Sequence, residues 1–304
     1  MNSLDSRRKS ISSDAITRAY LDSLLVEVRH LDAVLPSTEL TLYGKTFKTP
    51  VMTAALSHLH NTCPDGMTKM ALGATQAGAV TFSGMGSMKE LEGMTATGAS
   101  VVKIIKPYED RQSIRDKIRH AEQCGALAVG IDIDHAFDRR HGYDVIEDMP
   151  MYPMTQKEIA DLVRFTSLPF VIKGVLSRQD AKKCLDAGVQ GIVVSHHNGR
   201  VNTSVPPLMI LPEILEETKG QIPLFVDCSL QTGLDVFKAL ALGATACCVG
   251  RPLMPRLKEE GAEGVRCLFE EITRDLSYTM AMTCCPDIRH IDRSIVREAA
   301  FSWF

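Results

Sequence analysis

No run of apolar residues in this chain approaches the roughly twenty needed to cross a bilayer as a helix. The opening stretch MNSLDSRRKSISSD is polar, with no apolar run behind it. A membrane span and a secretory leader are therefore not expected, and the cytoplasm is the expected location. Runs of like charge longer than a few residues are missing too, at a formal net charge of −3 and a sequence pI near 6.3, so neither nucleic acid nor an anionic membrane surface is an expected partner. The nine cysteines contain no CxxC spacing, and two pairs, Cys247-Cys248 and Cys284-Cys285, are adjacent. Several lie inside apolar runs, as reduced core thiols do, so no disulfide framework, zinc site or other metal site is expected. A GxGxxG motif after the first strand is also lacking, which weighs against a doubly wound dinucleotide-binding sheet.

What the chain does have is repetition. Its 304 residues, 45% of them hydrophobic, can bury a core of barrel size. Eight short apolar runs recur, at Pro50 to Ala54, Ala79 to Ser83, Val101 to Ile105, Ala126 to Asp132, Pro169 to Lys173, Gly191 to Ser195, Pro223 to Asp227 and Ala246 to Gly250. They are nearly continuous rather than alternating, as parallel strands covered on both faces are. Helical patterns separate them. Ser177 before RQDAKKCLDAG pairs an N-cap with a terminal glycine at Gly188, and QTGLDVFKALALG ends likewise at Gly243. Eight β-then-α units predict a single-domain TIM (β/α)8 barrel. The barrel is expected over residues 49–277, after an N-terminal extension over 1–48 (a helix from near Asp14, then a strand pair around LTLYGKTFKTP) and before a tail over 278–304. RLKEEGAEGVRCLFEEITRDLSYTMAMTCC predicts a long closing helix. The longest stretch without periodicity, Asp134 to Pro153, is a candidate lid.

Active sites of such barrels sit at the C-terminal ends of the strands, and those ends carry chemistry here. Strand five ends in Lys173-Gly174, strand six in Ser195-His196-His197-Asn198-Gly199-Arg200, strand seven in Asp227-Cys228-Ser229 and strand eight in Gly250-Arg251-Pro252. Taken singly, each has a plain explanation as a solvated lysine, a helix-capping aspartate, a packing histidine or a turn. Together they describe a site: Gly250 and Arg251 stand where barrels bind phosphate, Lys173 aims a positive charge into the mouth, and a histidine three residues before an arginine supplies a base and a carboxylate clamp.

In PFVIKGVLSRQDAKKCLDAGVQGIVVSHHNGR, PLFVDCSLQTGLDVFKALALGATACCVGRPLM, SYTMAMTCCPDIRHID and, more loosely, LTLYGKTFKTPVMTAALSH, the chain resembles the FMN-dependent α-hydroxy acid oxidase and dehydrogenase family. The resemblance implies FMN as cofactor and oxidation of a 2-hydroxy acid to the 2-oxo acid, with oxygen, a quinone or a protein as electron acceptor and a homo-tetramer or octamer as assembly. It implies His197 as catalytic base, Asp132 as its carboxylate partner, and Arg200 as substrate clamp, with Arg140 or Arg139 as a second substrate arginine. Lys173 matches the lysine beside flavin N1 and O2. Ala54, Ser83, Ser195, Asp227 and Ser229 match flavin contacts, and Gly250 with Arg251 the phosphate site.

This chain also departs from that pattern. Lys103 and Ile105 are expected where the family carries Gln and Tyr on strand three, and Met85 where it carries an aromatic. Cys228 and Ser229 replace glycines of the strand-seven loop, and Gln231 replaces an arginine. Met85, Ile105 and the methionines at 149, 151 and 154 are either an apolar substrate lining or ordinary packing, with packing preferred. Two other readings remain open: an FMN barrel of the type 2 isopentenyl diphosphate isomerase kind, and a non-catalytic flavin-binding descendant.

Overall fold

The computed structural model describes residues 11–138 and 142–299. Eight parallel strands form one sheet: β1 (Val51–Thr53), β2 (Thr81–Ser83), β3 (Val101–Ile105), β4 (Ala128–Asp132), β5 (Phe170–Val175), β6 (Gly191–Val194), β7 (Leu224–Val226) and β8 (Ala246–Val249). Each pairs with the next in sequence from β2 to β8, and β8 pairs with β1. The ring closes between β1 and β2 through Thr53 N–H to Val80 O at 3.3 Å and a bridge between Leu56 and Ser83. The strands fall where the apolar runs predict them, and the cyclic order excludes the doubly wound sheet.

Local chemistry explains the helices between them. Helix α1 (Ser13–Ser23) starts where Ser12 caps Ala15 N–H. Along the barrel follow α2 (Gly66–Gln76), α3 (Met88–Ala96), α4 (Arg111–Gln123), α5 (Gln156–Phe165), α6 (Arg178–Asp186), α7 (Pro207–Thr218), α8 (Gly233–Ala241) and α9 (Leu253–Ala281). Ser177 caps α6 as the sequence predicts, and Thr232 with Asp235 forms a capping box on α8. The long closing helix α9 bends at Gly261 and packs along α2 and α8. One element goes beyond the expectation: Val296–Glu298 of the tail pairs antiparallel with Leu24–Val26, tying the two ends of the chain together.

Two apolar shells hold the barrel. An outer one lies between strands and helices, and an inner one fills the ring with Met52, Val80, Phe82, Val102, Ile104, Val171, Val193 and Phe225. The predicted strand pair, Leu40–Leu42 with Lys45–Phe47, sends Leu40, Leu42 and Phe47 into that inner shell and so plugs the end opposite the active face. Space inside is tight at Gly130 on β4, where an added Cβ would lie 2.0 Å from Val171 O of β5. Gly130→Ala is therefore expected to destabilise the fold by about 1–3 kcal/mol, measured by urea unfolding; an unchanged midpoint would mean that β4 and β5 separate without cost.

Among the described residues, the segment after β4 is more regular than the aperiodic sequence suggests. It holds a short hairpin, Val145–Ile146 with Met149–Pro150, and Met151 is fully buried in the outer shell. The methionine there packs, as preferred.

Candidate active site

The strand ends converge as the sequence predicts. Lys173 on β5 is buried, with Nζ 3.4 Å from Ser195 Oγ, 3.2 Å from His197 Nδ1, and 3.7 Å from carboxylate oxygens of both Asp132 and Asp227. Burial alone would lower its proton affinity, but the carboxylates of Asp132, Asp227 and Asp134 outweigh burial and raise it. Lys173 is a fixed cation.

His197 stands at the start of a turn in which it, Asn198 and Gly199 all have positive φ, at 47°, 55° and 80°. The Ser195 hydroxyl accepts its backbone N–H at 3.0 Å. Asp132, the expected partner, comes only to 3.5 Å of Nδ1, whereas Asp134 comes to 2.8 Å. Asp134 is therefore the nearer of two carboxylates at Nδ1, and the sequence pattern does not single it out because it lies in the short turn beyond the strand end. Its approach needs Gly174: this residue has φ 94°, and a Cβ there would sit 2.7 Å from Asp134 Cγ. A register shift in β5 at the same glycine makes the room.

The two aspartates divide the work. Burial favours the protonated form of Asp132, but Lys173, the His197 hydrogen bond and Lys106 hold it well below the usual carboxylate range. Burial, and then the neighbouring Asp132 charge, raise Asp134. Burial and Lys173 oppose a charged His197, yet hydrogen bonds to Asp132 and Asp134 prevail and raise its proton affinity. Asp132, Asp134, His135 and His197 bring four potential ligand atoms within 4.8 Å of one another. Two ammonium groups already supply the countercharge there, Lys106 at 2.7 Å and Lys173 at 3.7 Å from Asp132.

Strand three requires a correction. Val102 and Ile104 face the inner shell, and Val101 and Ile105 the outer one, so Lys103 and Ile105 point away from the mouth. The residue that reaches the site is Lys106, whose Nζ donates to Asp132. A nearly continuous apolar strand carries no alternation from which to read its phase. Ser83 is displaced from its expected role for the same reason. It lies on the opposite face from Phe82, and its hydroxyl accepts from Lys103 at 3.4 Å.

On the far side of His197, Arg200 donates to Asp144 Oδ2 at 2.9 Å and to Phe137 O. The same Asp144 oxygen lies 3.3 Å from His135 Nδ1, and His135 Nε2 lies 3.3 Å from His197 Nε2. Neither His135 nor Asp144 is legible in the sequence as a site residue. Arg139 and Arg140 lie outside the described residues.

Beside this cluster a cleft runs toward β8, lined by Ala54, Lys173, Asp227, Ser229, Gly250 and Arg251. Its fit to a flavin mononucleotide rests on the strand-seven loop. Cys228 and Ser229 hold φ of 73° and 62°, left-handed values that side chains rarely adopt, so the glycine-type backbone survives the loss of the glycines. Gly250 fits closely, since a Cβ there would meet Ala54 Cβ at 3.1 Å. Arg251 crosses the rim between Asn198 Oδ1 at 2.7 Å and Asp14 Oδ1 at 2.6 Å. The residues fit: a cation and polar groups on the floor, an open loop backbone, and a guanidinium at the rim. His196 has a separate task. It accepts from Gly199 N–H through Nδ1 and meets the Thr17 hydroxyl through Nε2 at 2.8 Å, pinning α1 to the turn.

Residues 4–154 and 140–298 match the family model of FMN-dependent dehydrogenases. Spinach (Spinacia oleracea) glycolate oxidase is 27% identical over 307 residues, covering 89% of this chain and 82% of that protein. A peroxisomal (S)-2-hydroxyacid oxidase of Arabidopsis thaliana is 29% identical, covering 90% and 83%. A solved structure of mandelate oxidase with (S)-2-phenylpropionate superposes with a TM-score of 0.85 at 30% identity, covering 94% of this chain and 89% of that one.

Proposed function

The chain belongs to the family of FMN-dependent dehydrogenases, whose oxidase members act on 2-hydroxy acids, and we propose that in this protein His197 is the base and Arg200 the carboxylate clamp for oxidation of a 2-hydroxy acid to its 2-oxo acid. Bound FMN supplies the two-electron acceptor. Lys173, Ser195 and Asp227 would hold its ring, with Ala54 beside them, and Ser229, Gly250 and Arg251 its phosphate end.

The observation that carries this reading is the placement of His197, 2.8 Å from the half-buried Asp134 carboxylate at Nδ1, with Arg200 linked to its Nε2 side through two intervening residues. Nδ1 is committed to Asp134, so Nε2 is the atom that takes the substrate proton. As the ring becomes positive, Asp132 and Asp134 stabilise it. A planar, permanently charged guanidinium orients the substrate carboxylate.

Anaerobic addition of a panel of L-2-hydroxy acids to the yellow holoprotein tests the reading. At least one acid is expected to bleach the flavin band, and a panel that leaves it unchanged would refute the assignment. The base form of His197 also fixes a pH dependence. Its proton affinity is raised above that of a free imidazole, so kcat/KM is expected to climb with pH through an apparent pKa above about 6.5. A flat profile between about pH 6 and pH 9 would remove His197 from the proton transfer.

A further inference from the structure

Four groups form a continuous chain across the mouth: Arg200, Asp144, His135 and His197. We infer that His135 and Asp144 are positioning residues that occupy the substrate's two anchor points, the carboxylate site on Arg200 and the proton-accepting nitrogen of His197, so that a carboxylate arriving at Arg200 is what frees the base. The inference rests on the roles proposed above for His197 and Arg200.

Hydrogen-bond direction carries the argument. Asp144 Oδ2 lies 3.3 Å from His135 Nδ1, and a carboxylate can only accept, so Nδ1 carries the hydrogen. Burial, then the charge of Lys106, pushes His135 down to about 3. The ring is therefore neutral, and its Nε2 offers a lone pair. That lone pair faces His197 Nε2 at 3.3 Å, with the two rings 4.4 Å apart at 70°. His197 must supply the hydrogen there, while its Nδ1 lies 2.8 Å from Asp134 and 3.2 Å from the Lys173 ammonium, and the shorter contact, to the carboxylate, makes it a donor. With both nitrogens donating, His197 is an imidazolium and cannot act as a base.

The surroundings favour this state without fixing it. Around His197 stand Asp132 and Asp134 from β4 and its turn, Lys173 from β5, Lys106 from β3 bound to Asp132, Asp227 from β7 facing Lys173, and Arg200 from its own loop. Asp144 has a side-chain exposure of 14% and His135 of 15%, so both lie inside the mouth. A substrate carboxylate and Asp144 compete for the same guanidinium. Once Asp144 is displaced, no acceptor among the described residues holds the His135 hydrogen on Nδ1, and its Nε2 ceases to be an obligatory acceptor. His197 then sheds its Nε2 proton to solvent, and the substrate hydroxyl takes the place of His135. Binding of the anion is thereby coupled to release of one proton.

The test follows the His197 ring by nitrogen NMR in 15N-histidine-labelled holoprotein, titrated with and without pyruvate, a 2-oxo acid anion with no hydroxyl to oxidise. In the wild type, pyruvate is expected to lower the His197 midpoint by about one pH unit and to release a proton on binding. Asp144→Asn is expected to show the lowered midpoint without pyruvate, no further shift with it, and roughly tenfold tighter pyruvate binding. His135→Phe, which keeps the ring and removes the acceptor, is a second variant with the same expected midpoint should Asp144→Asn fold poorly. Equal midpoints in wild type and variants, with no response to pyruvate, would overturn the inference. If hydroxy acids bleach the flavin normally while the midpoints stay equal, the contact is wrong and the oxidase reading stands. If nothing bleaches the flavin but the midpoint answers to pyruvate and to Asp144→Asn, the contact stands and the oxidase reading falls.

Discussion

Replacing His197 by alanine is expected to slow flavin bleaching by a 2-hydroxy acid by about 10²–10⁴-fold, with the bound chromophore retained. The size follows from the role proposed for His197, because three ionisable groups around it are each held in one protonation state. Lys173 is held charged by three carboxylates, Asp132 is held anionic by two lysines, and His135 is held neutral well below physiological pH. The alanine variant also leaves Asp134 without its hydrogen-bond donor. Stopped-flow reduction of gel-filtered holoprotein under anaerobic conditions separates these effects, because a loss of fold would release the flavin from the protein fraction, whereas loss of the base removes only the decay of its absorbance. Decay within about threefold of wild type would assign the proton transfer to another group.

Much of this site is legible in the sequence. Lys173, His197, Arg200 and Arg251 stand at or just after strand ends, and barrel topology converts such a place in the chain into a place at one mouth. What is not legible has a physical cause in each case. The apolar run ends at Asp132 and so points to it rather than to Asp134, but the short turn that follows, Ile133–His135, brings the later carboxylate back over Gly174. Lys106 carries no signal because it lies just past β3, where apolar residues stand on both faces and Lys103 faces outward, which leaves the phase unreadable. The His135–Asp144 contact joins residues across a segment whose aperiodic sequence predicts only a loop. The cofactor end keeps its shape through Cys228 and Ser229, whose left-handed backbone no propensity would assign.

The largest stability effect is expected at Lys173. Lys173→Met keeps a similar chain length but removes the cation that Asp132, Asp134 and Asp227 share, and uncompensated buried carboxylates cost about 3–5 kcal/mol. Urea unfolding at saturating FMN, near neutral pH, measures the loss, and pH identifies its cause. Asp132 has a depressed proton affinity in the folded protein, and Lys173 is the strongest attraction depressing it. In the wild type, that carboxylate contributes stability which is present above its unfolded pKa of about 3.9 and lost as pH falls through the folded value. In the variant the folded pKa rises, so less of that stability exists to be lost. The gap between the two proteins should therefore be widest near pH 7 and narrow as the buffer approaches the carboxylate range. Adding Asp227→Asn should recover part of the loss at neutral pH, because it removes one of the charges left unpaired. A deficit that stays constant from about pH 7 to pH 4.5, and that Asp227→Asn does not relieve, would trace the effect to packing of the methionine rather than to the buried charges.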